Sequence, residues 1–98
     1  MQAPKGYWII ECQEITDQIS MHKYADAWTE IANEFDAKMI AGTKSSNFVE
    51  GSHKARVLIL EFSSFGVAQE CYYSEKYQKA KELALKAMER TFSIIEGI

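Results

Sequence analysis

Residues 56–62 read Arg-Val-Leu-Ile-Leu-Glu-Phe, a β-rich apolar run closed by the turn-forming pair Ser63-Ser64. This stretch constrains the fold more than any other. Both of its alternating faces are largely apolar, so it is expected to be a central strand covered on each side. Its one interior charge, Glu61, stands among aliphatic neighbours, where a carboxylate without a partner is costly. The remainder of the chain has to supply flanking strands and a covering layer.

That remainder falls into a short alternating series. After a loose start at Met1–Lys5, residues 6–15 carry Tyr7, Trp8, Ile9, Ile10 and Cys12 and read as a first strand. Trp8, Ile10 and Cys12 share one face; Tyr7, Ile9, Glu11 and Gln13 share the other. Asp17 can cap a helix in which Met21, Tyr24, Ala25, Trp28, Ile31, Ala32 and Phe35 follow three- and four-residue steps. His22 falls on its polar side and is read as a solvated histidine. Residues 38–43 and 48–50 read as an interrupted edge strand, and Gly51–Lys54 as a hairpin connection that carries His53. A short helix is predicted over 65–73, and a second begins after the cap-like Ser74-Glu75 with Tyr77, Ala80, Leu83, Ala84, Ala87 and Met88 inward. Residues 92–96 close the chain as a last strand.

Strand, helix, strand, strand, helical segment, strand is the order of an α+β, ferredoxin-like βαββαβ domain. Residues 1–98 are expected to form one such domain, of a size ordinary for a single core. The spatial order should be fourth, first, third, second, with the helices on one side. Taking the first and third strands as parallel neighbours puts Trp8/Ile10/Cys12 and Leu58/Leu60/Phe62 under the helices. Tyr7, Ile9, Glu11, Val57, Ile59, Glu61, Phe92, Ile94 and Glu96 then fall on the other face. That face is too apolar to be left in water.

Ile9/Glu11, Ile59/Glu61 and Ile94/Glu96 each place a carboxylate two residues after an isoleucine, hence on the same side of a strand. Parallel central strands would bring Glu11 and Glu61 to the same end. Repulsion and desolvation there would raise a carboxyl pKa towards neutrality and make a general base. Glu61, with Glu11, is the catalytic candidate on this reasoning. Tyr7, Ile9, Ile59, Tyr72 and Glu96 are the candidate ligand contacts, although tyrosines at helical spacing, such as Tyr72 and Tyr77, commonly serve as core anchors. The competing reading is that the carboxylates pair across a subunit contact or reach water at the sheet rim.

Gly6-Tyr7-Trp8, residues 59–62 with Ser64-Phe65, then Tyr72, Ser74, Tyr77-Gln78 and Ile95-Glu96-Gly97 together carry a likeness. In order and spacing the chain resembles the domain of unknown function 1330 family, within the dimeric α+β barrel superfamily. The resemblance implies a ferredoxin-like subunit whose open sheet face packs on a second copy, a homodimer enclosing a barrel. Relatives in that superfamily include cofactor-free monooxygenases, lactone isomerases and haem-dependent enzymes. The chain departs from the family where Gly42-Thr43-Lys44 replace an arginine and paired glycines, and at Cys71, Glu75 and Ala84. Arg56 matches the family, but its parity puts it on the helix side.

Several functional classes are disfavoured. Eleven Lys and Arg against fourteen Asp and Glu give a net charge of −3, without the basic excess that tracks phosphates. Nucleic acid is thus not an expected partner, and the RNA-recognition motif, which has the same strand order, is disfavoured by Glu61 on its open face. Uninterrupted apolar stretches reach only four residues, so no membrane span or secretory leader is expected and the protein reads as cytoplasmic. Cys12 and Cys71 lack metal-ligand spacing and read as small buried hydrophobes. Neither histidine is placed as an axial ligand, so no cofactor is expected. What remains is a small apolar or aromatic metabolite in a cavity between sheet and helices, with monooxygenase-like or isomerase-like chemistry, or alternatively a non-catalytic dimeric binding module.

Overall fold

The structure, a computed structural model, describes residues 3–42, 46–51 and 54–98. Among them run β1 (Gly6–Cys12), α1 (Gln18–Phe35), β2 (Lys38–Ala41), β3 (Arg56–Phe62), α2 (Phe65–Tyr73), α3 (Glu75–Ala87) and β4 (Arg90–Glu96). The helix starts follow side-chain caps. Asp17 accepts from the Ser20 amide at 3.0 Å, Ser64 from the Val67 amide at 3.1 Å, and Ser74 from the Tyr77 amide at 3.2 Å. Helix α1 ends at Asp36 in the left-handed region, φ 52°, where its amide closes the last turn on the Ala32 and Asn33 carbonyls.

The sheet order is β2-β3-β1-β4, as expected, and every neighbouring pair is antiparallel. This overturns the parallel pairing of the two central strands. The chain goes out along β1, back along α1, out along β2, and returns along β3, so β3 must oppose β1. The parallel crossovers required by handedness join β1 to β2 and β3 to β4, which are not neighbours. Register then settles the faces of β4: Phe92 lies opposite Ile10, Ile94 opposite Trp8 and Glu96 opposite Gly6. Phe92, Ile94 and Glu96 therefore belong to the helix side. Thr91, Ser93 and Ile95 take the open side, because directly paired residues share a face.

Two other expectations change. Residues 48–50 form no strand, with Val49 left 81% exposed, and β2 stops at Ala41 after an irregularity between Met39 and Ala41. Thr43 and His53 lie outside the described residues.

The core lies between the helices and the Trp8/Ile10/Cys12 and Leu60/Phe62 faces, all buried. Trp8 is its centre, donating from Nε1 to the Ala68 carbonyl at 2.9 Å. Five aromatic rings surround it: Phe92 at 4.8 Å, Phe62 and Tyr77 at 4.9 Å, Trp28 at 5.3 Å and Tyr72 at 6.1 Å between centroids. Gly6 is required beside them, since a Cβ there would lie 2.7 Å from the Phe65 Cα, where the β3–α2 turn crosses β1.

Candidate functional site

Register separates the carboxylates. Glu11 pairs with Val57, whereas Glu61 pairs with Tyr7 at the other end of β1. Four residues of strand put their backbones roughly 13 Å apart within one subunit. The neighbouring pair expected from parallel strands is therefore not assembled within one subunit. Glu61 has instead Tyr7 on one neighbouring strand and Lys38 on the other. Glu96 is exposed near the end of β4 on the opposite sheet face, away from Glu11 and Glu61. Tyr7, Ile9 and Ile59 do share the open face and are half-buried there. Tyr72 is part of the aromatic cluster, with Lys81 Nζ 5.5 Å from its ring centroid.

A concave site forms elsewhere, on the helix side. Cys12 ends β1, while Arg56 begins β3 and Arg90 begins β4; antiparallel pairing aligns both arginines with Cys12. Helix α1 lies against α3, whose buried side is built from Ala80, Ala84 and Ala87, and it leaves the β3 end of the sheet partly uncovered. Two adjoining crevices of about 310 and 250 Å³ open there, sharing Cys12, Met21, Arg56, Leu58 and Met88. The first continues past Gln18 and Glu14, and the second runs under Tyr24 and Trp28 to Met39 and Arg90. Their size is at the low end for small-molecule sites.

The polar groups around these crevices differ in what they have left to offer. Arg90 Nη2 donates to the Tyr77 hydroxyl at 3.0 Å, the Tyr77 and Tyr24 hydroxyls are 2.9 Å apart, and the Arg90 guanidinium lies over the Tyr24 and Phe92 rings at 5.6 and 5.0 Å. That cation is committed to the protein. Arg56, half-buried, makes no hydrogen bond or ion pair among the described residues, and its Nε is buried without a partner, an arrangement that typically costs about 1–3 kcal/mol. Burial pushes the Cys12 thiol up despite Arg90 and Arg56 beside it, so it is neutral at physiological pH. Burial also raises Tyr77, with the neighbouring Tyr24 adding to the effect, and Cys71 is pushed up to about 12 chiefly by burial. None of these three is poised to ionise near neutrality.

A family model matches residues 5–98, nearly the full length. The chain belongs to the family described as Domain of unknown function (DUF1330). No protein of curated function matches it. Among solved structures, the DUF1330 chain is similar to a protein of unknown function from Rhodopseudomonas palustris, with TM-score 0.77 and 11% identity over 99% of this chain and 85% of that one. It is also similar to a dimeric ferredoxin-like protein of unknown function from Bacteroides fragilis, with TM-score 0.57 and 13% identity over 94% and 95% of the two chains. A third likeness is to a candidate antibiotic biosynthesis monooxygenase from Nitrosomonas europaea, with TM-score 0.56 and 14% identity over 100% and 94%. At these identities the likeness is one of ferredoxin-like fold.

For this DUF1330 member, sequence reasoning passed over Arg90 and left Arg56 open between a packing or salt-bridge role and ligand contact. The missed signal was parity. Arg90 lies two and four residues before Phe92 and Ile94 and shares their face, which antiparallel register makes the helix side. Among the described residues no three His, Cys, Asp or Glu side chains gather to hold a metal ion, and no helix is long and apolar enough to cross a membrane.

Proposed function

We propose that this DUF1330 protein binds a small, largely apolar metabolite in the crevice between α1 and the sheet, and does so as a homodimer. The observation that carries the binding reading is the pair of adjoining crevices walled by Met21, Tyr24, Trp28, Leu58 and Met88, with the unpaired Arg56 on their sheet side. Apolar walls with one or two placed polar groups are the usual composition of a small-molecule site. The homodimer reading is supported by the open face. Tyr7, Ile9, Val57 and Ile59 lie there only half-buried, Ile95 is 46% exposed, and a similarly folded protein is described as dimeric. On this reading Glu11 and Glu61 border the contact between copies and take their counter-charges there, Lys38 being the nearest in register to Glu61.

A cofactor-free oxygenase or isomerase is the second reading, favoured by the fold shared with the candidate monooxygenase. Binding without turnover is preferred because the thiol and phenol beside the crevice are held protonated. Native mass spectrometry of the protein as purified tests both parts. A dimer with retained extra mass is the expected result. A monomer removes the interface reading, and a protein that takes up no small organic compound from a broad panel removes the crevice reading.

A further inference from the structure

Arg56 is a half-buried cation that the described residues leave without a partner. It opens the central strand β3 on the helix side, lines both crevices, and has no hydrogen bond or ion pair among the described residues. Arg90, the neighbouring cation, is held by the Tyr77 hydroxyl and by two rings, so it adds positive potential with Nη2 already engaged by the protein. Among the described residues Glu14 is the single acidic side chain lining either crevice; it is exposed, and no ion pair joins it to Arg56. Two guanidinium groups against one rim carboxylate leave the site with a positive excess. The chain as a whole is acidic at −3, so this is a local inversion of charge. Around Arg56 the walls are apolar: Met21 and Trp28 of α1, and Leu58 two residues along β3 on the same face.

Resting on the ligand-binding reading above, we infer that the ligand is a small organic acid, its carboxylate taken by Arg56 and its apolar body lying between Met21, Trp28 and Leu58. The planar guanidinium fork matches a carboxylate in a side-on, two-bond geometry that uses Nε together with one Nη. Nε is the atom left without a partner. Because Nε is buried, side-on capture requires the side chain to turn that edge towards the crevice, which would satisfy both donors at once. A neutral amide of the same shape fills the apolar part, but its single carbonyl oxygen replaces the charge-assisted pair of bonds with one neutral acceptor. A strongly hydrated anion without an apolar body gains nothing from the walls.

The experiment compares phenylacetate with its neutral counterpart phenylacetamide by titration calorimetry, while the Trp28 indole N–H resonance reports occupancy beside the crevice. The acid is expected to bind about tenfold or more tightly than the amide, equivalent to about 1.4 kcal/mol. Arg56→Gln should erase that difference, lowering the affinity for the acid far more than that for the amide. Arg56→Lys, which keeps the charge but loses the fork, should retain part of it, and it carries the test if the Gln variant does not fold. Equal binding of acid and amide, with both indifferent to Arg56, overturns the organic-acid inference and leaves the crevice reading standing. No displacement of the Trp28 signal by either compound overturns the crevice reading and the inference with it.

Discussion

Tyr77 shows how much one side chain holds in this molecule. It is fully buried, touches the rings of Trp8, Trp28 and Tyr72, and its hydroxyl joins Tyr24 to Arg90. Tyr77→Phe preserves the packing but takes away one acceptor, so the Arg90 and Tyr24 groups lose a partner in a place water reaches poorly. A loss of about 1–3 kcal/mol is expected in chemical unfolding. Gly6 is constrained by backbone instead: a methyl there meets the β3–α2 turn, which cannot shift as a flexible side chain would. Gly6→Ala is expected to cost at least the 1–3 kcal/mol typical of overpacking, read as a lowered denaturation midpoint. Both residues were visible in the sequence as a core tyrosine and a glycine opening a strand. Neither the hydroxyl network nor the crossing turn was, because each depends on residues far away along the chain.

At the scale of elements, α1 depends on its first turn. The Ser20 amide and hydroxyl hold the Asp17 carboxylate below the usual carboxylate range. Its folded pKa is thus lower than its unfolded one. The stability it supplies is fully present above the unfolded value and is lost as pH falls through the folded one. The melting temperature should therefore fall on acidification below about pH 4, and Asp17→Ala should lower it at neutral pH while flattening that acid dependence. The cap was legible from local chemistry alone, as was the cap at Ser74, whereas Ser64 reads in the sequence only as part of a turn. Strand β4 was less so: it starts two residues earlier than expected, at Arg90, and the face that Arg90 shares with Phe92 and Ile94 is fixed only once the register to β1 is known. The face of a strand is a relation between two strands, and parity within one of them leaves it open by a single inversion.

For the molecule as a whole, the open sheet face and the helix-side crevice ask different questions. If the open face packs on a second copy, Ile9→Asp should convert the dimer to a folded monomer, seen by sedimentation velocity with the circular dichroism spectrum retained. A charge at the middle of β1 cannot be accommodated in an apolar contact, yet it stays wet in the isolated subunit. Phenylacetate binding should survive Ile9→Asp, because the crevice lies on the other side of the sheet. Dimer loss and ligand loss are thereby separable.

Local rules in the chain determined most of the elements here: the β3 run, the capped amphipathic α1, the break between α2 and α3 at Ser74, and the strand order that follows from their succession. Those features rest on interactions within a few residues or on connection rules that any such order must obey. Tertiary structure decided the direction of β3 against β1, and with it which residues meet. It moved Glu61 away from Glu11, turned Phe92 and Ile94 to the helix side, and brought Arg56 and Arg90 together beside Cys12. A reversed pairing leaves each strand's composition unchanged while exchanging its neighbours. The site follows those neighbours, since three strand ends meet there that are far apart in the sequence.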